Sequence, residues 1–165
     1  IEQLYAENAP EFVYFKSLFH IFEDFLNEEN KITLLKDEMG FLETDIWDTL
    51  YEFQKDAVKG AINKINRFGG CIIADSVGLG KTYEALAIIK YYELRNERVL
   101  VLCPKKLREN WTLFRENFDI NPLLKDRFGY DVLSHTDLSR TEGKTGDIDL
   151  SLLNWGNYDL IVIDE

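Results

Sequence analysis

The chain has 165 residues, 45% of them hydrophobic, and a formal net charge of −11. This length and apolar content allow one buried core and exclude wholesale disorder, and the negative balance argues against bulk attraction to nucleic acid. No apolar run approaches the roughly 20 residues that span a bilayer, and the start 1-IEQLYAENAP-10 lacks the basic-then-apolar order of a secretion signal, so a cytoplasmic setting without a membrane partner is expected.

The charge is uneven. Residues 1–50 carry 12 acids and 3 bases, whereas residues 51–165 carry 18 and 16. Pro10 suits the first turn of a helix. After it Phe12, Phe15, Leu18, Phe19, Phe22, Phe25 and Leu26 recur at three- and four-residue steps, which predicts an amphipathic helix with an aromatic packing stripe. Gly40 breaks the mixed stretch 31–48. Residues 1–48 therefore read as an acidic helical leader, and residues 49–165 as a separate domain.

That domain opens with a helix from about Thr49 to Asn66, with Leu50, Phe53, Ala57, Val58, Ala61, Ile62 and Ile65 on one face and Gly69-Gly70 as its stop. From there strands and helices alternate. Strand 71–74 leads through a glycine loop into a helix over about Lys81–Asn96. Strand 98–103 leads through Pro104 into a helix over about Lys106–Asn117. A strand near Asp131–Ser134, a turn-rich stretch 140–149, a short helix near Leu150–Trp155 and a strand over 158–164 follow. Apolar strands alternating with helices predict an α/β fold with a parallel sheet covered on both faces. Cys71 and Cys103 sit in apolar runs and read as buried thiols.

The loop 75-DSVGLGKT-82 is placed between a strand and a helix. Backbone N–H groups at a helix start form an anion cradle, and Gly78 and Gly80 let the chain bend around phosphate oxygens. Lys81 supplies a point charge for the β and γ phosphates and Thr82 a hydroxyl for Mg²⁺. Asp75, Ser76, Val77, Gly78, Leu79, Gly80, Lys81 and Thr82 thus form a candidate triphosphate site. Asp75 stands where the general phosphate-loop pattern has Gly, which points to a particular branch. At the other end, 161-IVIDE-165 ends a buried strand in two acids. Asp164 fits a Mg²⁺-holding carboxylate, and Glu165 a base that orients and deprotonates water.

DSVGLGKT and IVIDE resemble the first two ATP-site motifs of superfamily 2 helicases, specifically the Swi/Snf-like translocases. Residues 50-LYEFQKDAV-58 resemble that family's upstream glutamine motif, and 99-VLVLCPKKLRENW-111 its motif Ia. More widely, the chain is similar to bacterial helicase-like proteins with an upstream phospholipase D-like nuclease domain, whose His-Lys signature is absent here. The resemblance covers about residues 49–165 and implies a first RecA-like domain truncated at its Walker B strand, hence a piece of a longer protein. It implies ATP and Mg²⁺ as ligands and nucleic acid, as double-stranded DNA, as partner. It places Gln54 on adenine, where an amide offers both donor and acceptor, and Pro104, Lys105 and Lys106 on the nucleic-acid backbone. A second, C-terminal RecA-like domain would supply the arginine finger, typically worth about 10³-fold or more in rate, so these 165 residues alone should turn over poorly.

Two other classes stay open on the residues alone: a phosphate-loop switch or assembly ATPase that never touches nucleic acid, and an interaction module working through the Phe12–Leu26 stripe. Arg108 reads as helix surface, Trp111 as core, and Trp47 and Trp155 as packing. His20 and His135 lack metal-ligand partners at useful spacing, and 143-GKT-145 lacks the glycine and strand of a second phosphate loop.

Overall fold

The structure, a computed structural model, describes residues 13, 14, 16, 17, 40–74, 78–146 and 148–165. Val13, Tyr14, Lys16 and Ser17 are helical, and the rest of the expected Phe12–Leu26 helix lies outside the described residues. Compactness divides the chain into Ile1–Lys36 and Asp37–Glu165, and the second unit holds everything described below. Residues 41–48, placed in the leader by the sequence reading, pack into this unit, with Phe41, Ile46 and Trp47 all buried.

Gly40, at φ 72°, turns the chain into helix α1 (Asp45–Thr49) by way of a 3-10 turn over Phe41–Glu43. The Thr44 hydroxyl caps α1 by accepting the Trp47 N–H at 3.3 Å. The Asp126 carboxylate, 80 residues on, accepts the N–H groups of Asp45 at 2.9 Å and Ile46 at 2.7 Å. Helix α2 (Glu52–Phe68) starts where the Gln54 amide oxygen accepts the Tyr51 N–H at 3.0 Å. It ends at Gly69, whose left-handed φ of 78° lets its N–H reach the Ile65 carbonyl.

The expected strand 71–74 is not a strand. Both edges of the central strand are already taken, and residues 71–74 pair with neither outer edge of the sheet, so no ladder holds them. Ile72 is 91% exposed as a result, and Cys71 is only half-buried. The loop then enters α3 (Lys81–Leu94), in which Leu86, Ala87, Ile88 and Ile89 are all buried. The helix is apolar on more than one side because it packs on both α2 and the sheet.

The sheet is parallel, in the order β2–β1–β5, formed by β1 (Val99–Cys103), β2 (Asp131–Ser134) and β5 (Leu160–Ile163). Val101 lies opposite Val132 on one side and Val162 on the other. All five β1 residues are buried, as a continuous apolar run in a central parallel strand requires. β5 is an edge strand whose Ile161 and Ile163 are exposed. On one face Leu100, Leu102, Leu133 and Leu150 form a cluster, with Ile148, Leu153 and Tyr158 packed against it.

Between β1 and β2 the chain makes a 3-10 turn, Lys105–Leu107, and helix α4 (Arg108–Leu113). The helix is shorter than expected because the Asn121 amide takes the carbonyls of Phe114 and Glu116, each at 2.9 Å, and turns the chain away. A small hairpin of β3 (Lys144–Thr145) and β4 (Ile148–Asp149) precedes β5. The expected helix near Leu150–Trp155 is instead two 3-10 turns, and Trp155 is 41% exposed rather than packed. No helix among the described residues is long and apolar enough to cross a membrane.

Candidate functional site

Parallel strands bring their carboxyl ends to one edge of the sheet, where open α/β sheets place ligands. Here that edge gathers Cys103 and Pro104 at the end of β1, Ser134 and His135 at the end of β2, and Asp164 and Glu165 after β5. The phosphate-loop candidates lie at the start of α3. Gly78 and Gly80 take φ of 88° and 84°, a left-handed conformation that side chains other than glycine rarely adopt. Gly80 is the N-cap of α3, and its carbonyl accepts the N–H groups of Tyr83 at 2.8 Å and Glu84 at 3.3 Å. Helix geometry leaves the earliest N–H groups of a helix without a carbonyl four residues back inside it. Asp75, Ser76 and Val77 lie outside the described residues.

Gln54 is brought to this loop. It is buried, and its amide nitrogen donates to the Leu79 carbonyl at 2.9 Å while its oxygen holds Tyr51. A Cβ added to Gly80 would lie 2.5 Å from that nitrogen. The amide expected on adenine thus ties the start of α2 to the turn of the candidate phosphate loop.

Asp164 is fixed twice. Its N–H donates to the Leu102 carbonyl at 2.9 Å, extending the β1–β5 ladder past its last pair. One side-chain oxygen, Oδ2, accepts the Trp111 indole N–H at 2.9 Å. Trp111 is core, as expected, but it also makes this polar contact, which periodicity could not reveal. The available signal was chemical: a buried indole N–H usually needs a partner. Burial pushes the Cys103 thiol up, Asp164 adds to that shift and Arg108 opposes it, so these three side chains share one electrostatic neighbourhood. Glu165 is exposed.

Lys105 and Lys106 are exposed on the 3-10 turn that follows Pro104. Arg108, expected on the surface, is half-buried with an enclosed Nε, and a Cβ on Gly146 would collide with its guanidinium. The sequence reading also missed Glu84, a fully buried acid in the first turn of α3, where the helix dipole favours negative charge. A cleft of about 400 Å³ lined by Lys90, Glu93, Arg98 and Asp131, among others, opens at the amino ends of β1 and β2, the edge opposite the candidate site.

Among the described residues no group of three or more His, Cys, Asp and Glu side chains could cage a metal ion. Magnesium is commonly held by one or two protein oxygens together with substrate phosphates and water. Thr82, in the first turn of α3, and Asp164, anchored by Trp111, are side chains whose oxygens could take part in such a complex.

A family model described as "SNF2-related domain" matches residues 53–123. The chain is 31% identical over 140 residues to mouse "DNA annealing helicase and endonuclease ZRANB3", an alignment covering 78% of this chain and 12% of that protein. It is 30% identical over 119 residues to "Uncharacterized ATP-dependent helicase YqhH" of Bacillus subtilis (strain 168), covering 68% of this chain and 20% of that protein. It is 29% identical over 96 residues to "SWI/SNF-related matrix-associated actin-dependent regulator of chromatin subfamily A-like protein 1" of Xenopus tropicalis, covering 55% and 10% respectively. The chain thus spans a fifth or less of the length of each of these relatives. No solved structure matches it significantly.

Proposed function

Because the chain belongs to the Swi/Snf-like branch of superfamily 2 helicases, we propose that it is the ATP-binding part of a DNA-dependent ATPase that couples Mg-ATP hydrolysis to movement on double-stranded DNA. The observation that carries this reading is the turn Gly78–Thr82: two left-handed glycines deliver the chain into the start of α3 with Lys81 and Thr82 in its first turn.

Each residue has a defined task in this reading. The first-turn N–H groups and the Lys81 ammonium receive the negative charge of the β and γ phosphates. Thr82 and Asp164 would hold the magnesium ion, which when bound neutralises phosphate oxygens. Glu165 orients a water and takes its proton as the oxygen attacks the γ phosphorus and the bond to the departing ADP oxygen breaks. Gln54 keeps the loop in place and lies beside the expected adenine position. Pro104, Lys105 and Lys106 face the nucleic-acid backbone, where positive charge and amides suffice for contact. A second RecA-like domain of the longer protein completes the catalytic set with arginines.

Steady-state ATP hydrolysis by the full-length protein, with and without saturating duplex DNA, tests this reading. Several-fold stimulation by duplex is expected, and lost in Lys81→Ala. A flat response to DNA would instead mark a switch or assembly ATPase.

A further inference from the structure

We infer that Trp111 is a positioning residue for Asp164: its indole N–H sets the orientation of the carboxylate that would hold magnesium. The inference rests on the proposed ATP site but concerns a residue outside the phosphate loop and 53 positions away from the acid. The contact is 2.9 Å from Nε1 to Oδ2. That bond reaches the carboxylate from the side of α4.

The indole is itself held from two sides. The Trp111 carbonyl accepts the Tyr130 hydroxyl at 2.6 Å. The Trp111 and Tyr130 rings meet edge to face at 6.0 Å, and Phe128 meets Tyr130 at 5.8 Å. Trp111 and Tyr130 are 2% and 1% exposed, so the packing leaves the indole no room to rotate away. On the acid's side, the β1–β5 ladder fixes the Asp164 backbone through Leu102. What remains free is the carboxylate's own rotation, and the indole removes it.

Indole chemistry suits this task. An indole N–H donates and cannot accept, so it occupies one carboxylate oxygen without competing for a cation. A hydrogen bond to an ionised acceptor is also stronger than one between neutral groups. The helix carrying Trp111, α4, begins two residues after Lys106. A displacement of the Pro104–Lys106 turn by nucleic acid would therefore reach Asp164 through one short helix.

The test is equilibrium binding of a fluorescent ATP analogue to the full-length protein, titrated with Mg²⁺. The variants are Trp111→Phe, Asp164→Asn and the double substitution. A hydrogen bond to a charged group sets the scale: Trp111→Phe should weaken apparent Mg²⁺ affinity about tenfold, or about 1.4 kcal/mol. Nucleotide affinity without metal should be unchanged. In the Asp164→Asn background Trp111→Phe should add little further loss, because its effect passes through the carboxylate. If Trp111→Phe does not fold, a benzothienyl-alanine at position 111 keeps the bicyclic shape and removes only the N–H. An unchanged Mg²⁺ dependence in either substituted protein overturns the inference. So does an equal loss in the presence and absence of Asp164. If Lys81→Ala and Asp164→Asn themselves leave nucleotide and metal binding intact, the ATP-site reading has failed instead.

Discussion

Replacing Gln54 by alanine tests how the candidate phosphate loop is supported. The side chain is buried and reaches a segment 25 residues on, accepting from Tyr51 N–H at 3.0 Å and donating to the Leu79 carbonyl at 2.9 Å. Each such bond contributes about 1 kcal/mol net. Tyr51 and Leu79 are 72% and 45% exposed, so water can satisfy both orphaned groups after the substitution. The expected cost is therefore the two bonds, about 2 kcal/mol, with no large penalty for buried unpaired groups. With a urea m-value of about 2 kcal/mol/M, the midpoint of unfolding followed by circular dichroism should fall by about 1 M. A second readout separates support of the loop from contact with the base. If Gln54 holds the loop, Gln54→Ala should weaken binding of inorganic tripolyphosphate as well as of ATP. An unshifted urea midpoint together with unchanged tripolyphosphate affinity would refute this reasoning and leave adenine contact as the residue's whole role.

Gly80→Ala should cost more than an ordinary surface change, because a side chain at φ 84° is strained by about 1–2 kcal/mol and its Cβ would press on Gln54 Nε2 at 2.5 Å. A melting temperature lowered by about 5 °C or more is expected by calorimetry, and an unchanged value would count against the loop geometry. Asp126→Ala should destabilise by about 3 kcal/mol, since it strips the carboxylate from two N–H groups of α1. Asp126→Asn, which keeps one acceptor, should recover part of that loss in urea unfolding. Asp137 should contribute to acid sensitivity. Burial opposes its ionisation, but the Ser134 N–H, the Thr145 hydroxyl and the Arg140 guanidinium outweigh it and hold the carboxyl below its usual range. A depressed folded pKa means stability that is present above about pH 3.9, the unfolded value, and lost as pH falls toward the folded one. The urea midpoint should therefore drop more steeply with acid in the wild type than in Asp137→Asn, and parallel acid limbs would contradict the assignment.

The alternation of strands and helices was legible because it is local. The run VLVLC reads as a buried strand from its own residues, and Asp131–Ser134 is found where the pattern places it. The stretch 71–74 has the same apolar character, but strand formation needs a partner, and pairing is not written in the segment itself. Helix α4 was read too long because its stop is a side chain, Asn121, that reaches back from beyond the helix. Gln54 lies at the third position of α2, where glutamines return to the N-cap, so its bond to Tyr51 was readable in principle. Its bond to Leu79 depended on the packing of α2 and α3. The Trp111–Asp164 contact was hidden for a similar reason: apolar periodicity marks Trp111 as core and says nothing of where its one polar atom points.

The central claim is that the Gly78–Thr82 turn and Asp164 serve one Mg-triphosphate. A crystal structure of the full-length protein with Mg²⁺ and a non-hydrolysable ATP analogue tests it most directly. The account predicts the γ phosphate within hydrogen-bond reach of Lys81 Nζ, with the metal bound by Thr82 Oγ1 and by Asp164 directly or through one water. A nucleotide seated elsewhere, for instance in the cleft beside Lys90 and Arg98 at the opposite edge of the sheet, with Lys81 and Asp164 facing no common ligand, would contradict it.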